Sequence, residues 1–156
     1  MEQEHVSATL VFPVPAERVF EVLADPATHV AIDGTGWVQQ VVDPEPLAEV
    51  GQLFRMGMYH VNHPDGEYET VNKVTVFEKP QAIAWMTGSR KDGELAFGGW
   101  FWRYDIKSLG SSEAEVTLTY DWTAVPPSIR EYLTFPVFGP DHLTNSLRNL
   151  AAACDR

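Results

Sequence analysis

The chain is poor in the residues on which several common kinds of protein depend. It has one cysteine, Cys154, in 156 residues, so no disulfide can close within it and a cysteine metal cluster is excluded. Basic residues are scarce, 11 Lys and Arg against 22 Asp and Glu, and the net charge is -11. Such a chain repels phosphate backbones and anionic lipid surfaces, and its few cations are scattered, so nucleic acid is not an expected partner. No apolar run approaches the roughly 20 residues that span a bilayer, so membrane insertion is not expected either. Low-complexity tracts are absent. The first residues, Met1-Glu2-Gln3-Glu4-His5, lack the basic head and apolar run of a secretory signal, and the cytoplasm is the expected location.

What the chain does have is apolar residues, 44% of the total, enough for one domain over residues 1–156 with a real core. Large rings and sulfur side chains recur with a period of two. Phe54, Met56, Met58 and His60 alternate, as do Trp100, Trp102, Tyr104 and Ile106, and again Val116, Leu118, Tyr120 and Trp122. A period of two puts each set on one face of a β-strand. For any one ring, core packing is the better reading; the set together suggests a lined pocket.

Punctuation residues divide the rest. Residues 4 to 12 alternate as a first strand, which Pro13-Val14-Pro15 ends. Pro15 suits the first turn of a helix over Ala16 to Ala24, with Val19, Phe20 and Leu23 as its apolar stripe. Asp25-Pro26 breaks that helix, and a second short one over Ala27 to Ile32 ends at Asp33-Gly34-Thr35-Gly36. Strands then follow over Trp37 to Val42, Gln52 to Val61, Glu67 to Phe77, Ala82 to Gly88, Phe97 to Leu109 and Glu113 to Thr123. His63-Pro64-Asp65-Gly66 has a type I turn signature between two of them. After Pro126-Pro127 a helical turn or two runs over Ser128 to Phe135. Pro136 and Pro140 interrupt it, and a last helix spans Asp141 to Ala153 with Leu143, Leu147, Leu150, Ala151 and Cys154 on one face. Strands segregated from helices imply an α+β domain, with the last helix as the cover for one sheet face.

In order and spacing, several segments together resemble the START and birch-pollen-allergen-like superfamily (SRPBCC), close to its polyketide cyclase/dehydrase branch. They are Pro13-Val14-Pro15-Ala16-Glu17-Arg18-Val19-Phe20 with Leu23-Ala24-Asp25-Pro26, the strand-opening Gly51, Phe77-Glu78-Lys79-Pro80 before Ile83-Ala84-Trp85, Trp102-Arg103-Tyr104-Asp105-Ile106, and Val116-Thr117-Leu118-Thr119-Tyr120. The last hairpin departs from the usual Asp-Gly-Gly-Thr type of turn, with Leu109-Gly110-Ser111-Ser112-Glu113 in its place. The resemblance implies a helix-grip fold, a curved seven-stranded antiparallel sheet wrapped around the C-terminal helix, with two short helices between strands 1 and 2. It also implies a cavity between sheet and helix that takes lipids, sterols, polyketides or other apolar molecules.

The face expected to meet the helix carries Phe54, Met56, Met58, His60, Tyr68, Thr70, Asn72, Val74, Trp85, Trp100, Trp102, Tyr104, Tyr120 and Trp122, capped by Trp37 and by Phe135 or Phe138. Glu67, Glu69, Asp105, Asp121, Lys73 and Arg103 fall at strand ends or on the opposite parity. A face without fixed charge disfavours a paired-carboxylate hydrolase and a charged substrate, and suits a neutral, ring-bearing or greasy molecule. His60 is the inward group that titrates near neutral pH; with Tyr68, Tyr104 or Tyr120 it is the candidate acid–base pair for a cyclase or dehydratase. A lone histidine at a strand's open end is more simply solvated. His60 and His63 fall on opposite strand faces with no third ligand, so no metal is expected. Gly34-Thr35-Gly36 and Gly98-Gly99 lack a phosphate-loop pattern, no cofactor is expected, and Gly98-Gly99 reads as a bulge or bend. His29 and Asp33 precede Trp37 and could reach a cavity rim, although Asp before Gly-Thr-Gly is ordinary turn chemistry.

Three readings follow. The first is a binding protein for a small hydrophobic molecule, acting as a monomer or homodimer. The second is a cyclase or dehydratase. The third is an interaction scaffold that uses Tyr59, Phe77 and Phe101, whose parity is outward.

Overall fold

A computed structural model describes residues 5–29, 38–43, 45–59, 67–91, 94–131 and 141–154. The strands are β1 (His5–Phe12), β2 (Val38–Val41), β3 (Leu53–Tyr59), β4 (Glu67–Glu78), β5 (Ala82–Lys91), β6 (Glu94–Ser108) and β7 (Ala114–Asp121). Helix α1 (Ala16–Leu23) and a 3-10 turn (Pro26–Thr28) follow β1; α2 (Pro127–Arg130) and α3 (His142–Cys154) follow β7. The seven strands form one sheet in the order β1-β7-β6-β5-β4-β3-β2, antiparallel throughout. Strands β2 to β7 are a meander, each pairing with the next. β1 closes the far edge by pairing with β7 from His5↔Asp121 to Phe12↔Ala114.

The helices begin and stop where local chemistry directs. Pro15 is extended (φ -69°, ψ 154°) and its carbonyl accepts from the amides of Arg18 and Val19, so it is the N-cap of α1, just ahead of the first-turn place the sequence suggests. Val19, Phe20 and Leu23 are fully buried, as the periodicity requires. Of the expected stripe in α3, Leu143, Leu147, Leu150 and Cys154 are buried, each leucine contributing about 2 kcal/mol, and Ala151 is partly buried. Arg18 ties the two helices together: its Nε–H donates to the carbonyl of Cys154 at 3.2 Å, satisfying a C-terminal acceptor of α3 with a cation.

The sheet is regular except at bulges that change which residues face the helices. Between Val74 and Val76 β4 advances two residues while β5 advances one. The alternation therefore flips beyond that point, and Phe77 rather than Val76 turns toward the helices. Its ring meets Phe20 of α1 edge-on at 5.0 Å. The outward parity expected for Phe77 is thus corrected; the hydrophobic pattern alone does not reveal an inserted residue. A larger irregularity lies in β6, where Met86 pairs with Phe101 and Gly88 with Phe97. Gly98-Gly99 lies within it. Gly99 has φ +99°, and a Cβ there would come within 2.6 Å of the Ala124 carbonyl oxygen, so the close approach of the two backbones requires glycine.

Candidate functional site

The register sets out the helix-facing side as rows across the sheet. One row runs Val74, Trp85, Trp102, Tyr120, Val6; the next runs Phe77, Ile83, Tyr104, Leu118, Ala8. On the other side of the first row, Phe54, Asn72 and Thr87 pair in turn. Bulky residues at i and i+2 on central strands thus form a nearly continuous ring surface. Ring centroids lie 5.7 Å apart for Phe54 and Trp85, 5.8 Å for Trp85 and Tyr104, 4.5 Å for Trp102 and Tyr120, and 5.8 Å for Tyr120 and Trp122. These are the spacings of mutually attractive offset and edge contacts.

Of the residues the sequence nominates, Phe54, Met56, Asn72, Trp85, Tyr104, Tyr120 and Trp122 are buried. Trp100 and Trp102 are half-buried against the same core. Met58 and Tyr68 are opposite one another in the β3–β4 ladder; only their backbones are described. Trp37, His60, Phe135 and Phe138 lie outside the described residues, as do Asp33 and the His63 turn. Among the described residues no group of three His, Cys, Asp or Glu side chains is placed to hold a metal, and no helix is long and apolar enough to cross a membrane.

Polar groups enter this surface at a few places, each with a physical consequence. The Asn72 side chain donates from Nδ2 to the Phe54 carbonyl (3.3 Å), and its Oδ1 accepts from the Thr87 hydroxyl (2.7 Å). Such pairing meets the cost of burying an amide. Burial pushes the Tyr120 phenol well above its ordinary pKa, so it stays protonated. Among the described residues none of the buried side chains belongs to Asp, Glu, Lys or Arg. The ion pairs lie elsewhere: Arg55 meets Asp43 at 2.8 Å and Glu69 at 3.6 Å, and Arg103 meets Asp105 at 3.0 Å, all on partly exposed side chains.

Two histidines stand out that the sequence pattern does not bring forward. His29, expected no nearer than a rim, is in the interior. Its ring stacks on Trp85 at 4.9 Å and 21° and meets Phe54 edge-on at 5.5 Å. Its Nε2 lies 2.9 Å from the Leu23 carbonyl, a partner that can only accept, so Nε2 carries the proton. Desolvation lowers its pKa from 6.5, opposed by the Leu23 hydrogen bond and the Asp25 charge. His142, the first residue of α3, meets Trp102 edge-on at 5.5 Å. A signal for His142 was present: it sits one helical turn before buried Ser146 and two before Leu150. For His29 its place before Trp37 suggested no more than a cavity rim, because its ring neighbours come from distant strands.

No family model matches the chain. The uncharacterized proteins Rv0088 and MT0096 of Mycobacterium tuberculosis are each 28% identical to it over 119 residues, 76% of this chain and 48% of theirs. The chain thus spans about half the length of the curated relatives it matches. Among solved structures, Ms6760 of Mycobacterium smegmatis superposes with a TM-score of 0.67 at 15% identity, covering 97% of this chain and 91% of that one. CV1439 of Chromobacterium violaceum gives 0.66 at 18%, covering 98% of each. A norcoclaurine synthase point mutant of Thalictrum flavum, in complex with a transition-state analogue, gives 0.62 at 12%, covering 96% and 92%.

The chain has the helix-grip fold. At such identities the structural likeness concerns architecture alone, and it is the architecture the sequence resemblance implies. In the helix grip the sheet's ring-bearing side and α3 face each other, as the Trp102–His142 contact shows here.

Proposed function

We propose that the chain is a START/birch-pollen-allergen-like protein that binds a small, neutral, hydrophobic or aromatic molecule, lipid- or polyketide-like, between the sheet and α3. The observation that carries the reading is a helix-facing side dense in rings, with no Asp, Glu, Lys or Arg buried among the described residues. An ionic ligand placed there would lose its hydration and find no counter-charge, at a cost of several kcal/mol. A neutral aromatic would gain offset and edge contacts with Trp85, Trp102 and Tyr120. Support also comes from the norcoclaurine synthase neighbour, a protein of this architecture whose structure holds a transition-state analogue. The ligand surface includes Phe54, Met56, Asn72, Trp85, Trp100, Trp102, Tyr104, Tyr120 and Trp122 in this proposal, completed by Trp37, Met58, His60, Tyr68, Phe135 and Phe138. Native mass spectrometry and thermal unfolding against lipids, flavonoids and polyketides test it. A true ligand at about 100 times its Kd adds about 2.7 kcal/mol, which raises Tm by roughly 5–10 °C in a domain of this size. A screen without adducts or shifts would count against the reading.

One observation favours a second reading, a cyclase or dehydratase. The Tyr120 phenol, protonated as phenols are at neutral pH, lies in the ring surface against Trp102, and in this reading it donates to an oxygen that gains negative charge, as in enolate formation. In this reading His60 accepts the proton and Tyr104 assists. Tyr120→Phe or His60→Ala would then abolish turnover and keep ligand affinity; a reaction that survives both substitutions excludes it.

A further inference from the structure

The side of the sheet turned away from the helices has an order of its own. Its central row runs Leu53, Lys73, Met86, Phe101, Asp121 across β3 to β7. In the row on one side Val71 pairs with Gly88 and Gly88 with Phe97; in the row on the other Val76 pairs with Ala84. Val71 and Ala84 are buried yet stand outside the core cluster under the helices. A Cβ on Gly88 would meet the Phe97 ring at 2.8 Å, so that ring lies across Gly88, beside Val71. Met86, Phe97 and Phe101 are half-buried, and Leu53 is 40% exposed. These residues form an apolar patch over β4, β5 and β6, the kind of surface that marks a contact site.

Charge is placed symmetrically about this patch. Arg55 is held by Asp43 and Glu69, and Arg103 by Asp105. Lys73 and Asp121 have no ion-pair partner among the described residues. They share the central row, Lys73 on β4 and Asp121 on β7, with Met86 and Phe101 between them. At about 4.8 Å per strand, each lies roughly 7 Å from the β5–β6 midline, on opposite sides of it. A two-fold axis in the plane of contact, along that midline, lays β4 of one copy over β7 of another and β5 over β6. Lys73 of each copy then faces Asp121 of the other, and Met86 faces Phe101. At the roughly 10 Å spacing of packed sheets the two charged side chains reach one another.

We propose that this face is the contact between two copies of the chain, an isologous dimer stacked sheet on sheet. The occupant is a second copy because the charges complement their own two-fold image. Each copy carries a net charge of -11, so general repulsion opposes association and the Lys73–Asp121 pairs decide the register. The dimer leaves the helix-facing side free and stands independently of the ligand reading.

Sedimentation velocity of the full chain over a range of concentrations tests it, at about 0.15 M salt so that distant charges are screened. The wild type is expected to pass from monomer to dimer as concentration rises. Lys73→Glu and Asp121→Lys each set like charges face to face and should weaken the dimer roughly tenfold or more, and the double variant should recover it. A wild type that stays monomeric overturns the proposal, leaves the ligand reading standing and leaves this face to a partner of another sequence. A dimer indifferent to Lys73→Glu, or a double variant that does not recover, overturns it as well. The Asp121 carboxylate also accepts from the Thr123 amide at 2.9 Å, so a change there disturbs local structure too. Should those variants not fold, zero-length carbodiimide coupling of the wild type decides. An amide between Lys73 and Asp121, which are roughly 14 Å apart within one chain and out of reach there, supports the dimer. Its absence overturns it.

Discussion

The helix-facing side of the sheet has two unlike halves. Over β6, β7 and β1 the rows end in Ile106, Val116, Leu118 and Leu10, and α3 packs onto β7 and β1 with Leu143, Leu147 and Leu150. These strands carry rings as well, Phe12, Trp102, Tyr104 and Tyr120, but among the described residues none of the buried polar side chains lies on them, and where α3 packs this half can be understood as core. Over β3, β4 and β5, rings alternate with polar groups: Phe54 and Trp85 stand beside Asn72, Thr70, Thr87 and His29. Every buried polar group there needs a partner that an aliphatic side chain would not. The difference is one of polarity: among the described residues the buried polar side chains of the sheet, Thr70 and Asn72, lie in the β3–β5 half together with His29, and Trp102 and His142 meet at its border.

The comparison breaks first if the half under α3 is not the stabilising one. Leu147 is fully buried, and Leu147→Ala should cost about 2–5 kcal/mol in urea unfolding, the cost of lost burial plus a cavity. A loss below about 1 kcal/mol would mean that α3 packs loosely and that this half is not the core. Next in size is the joint between the halves. Gly99 lies on β6 at φ +99° with the Ala124 backbone close by, so Gly99→Ala adds backbone strain and a steric contact. A loss of about 1–3 kcal/mol is expected, read as a lower urea midpoint with an unchanged slope.

A smaller effect tests the polar half. Thr87→Val removes the donor to Asn72 Oδ1 and leaves a buried acceptor behind, so a loss of about 1–2 kcal/mol is expected. Asn72→Leu combined with Thr87→Val removes both partners and should cost less than the single change, because no orphaned group remains. Additive losses would show that the two side chains act separately and that the polar half is ordinary packing.

Much of the architecture was legible because alternation and helical spacing are local. The strand rows from Trp102 to Tyr104 and from Val116 to Tyr120, the stripes of α1 and α3, and the bend at Gly98-Gly99 all follow from such spacing. Phe77 was misjudged because the extra residue near Thr75 shifts parity without leaving a mark in the hydrophobic pattern. The wall of the candidate site was readable ring by ring, but His29 was not. Its role depends on the segment after α1 folding over β3 and β5, a long-range contact that no periodicity encodes. The resemblance supplied the architecture, and inward parity pointed to His60 as the titrating group. Its position in the chain brought His29 no further than a cavity rim.

The mildest perturbation is acid, and it bears on the polar half alone. The His29 pKa is lowered from 6.5 by burial, so in the folded state the ring stays neutral at a pH where the unfolded chain binds a proton. Above pH 6.5 both states are neutral at this site and it adds no pH dependence. As the pH falls below that value the unfolded state binds more protons than the folded one, and stability drops until the folded pKa is reached. Asp43 works in a different window: the hydrogen bond from Arg55 lowers its pKa below 3.8, so its contribution is lost only in stronger acid. Urea unfolding at about pH 7.5 and about pH 5.5 should therefore show a lower stability at the acid point, and His29→Phe should remove its share of the slope. If His29→Phe leaves the slope intact, the interior of the β3–β5 half is wet enough to charge an imidazole, and the contrast between the two halves fails at its polar end.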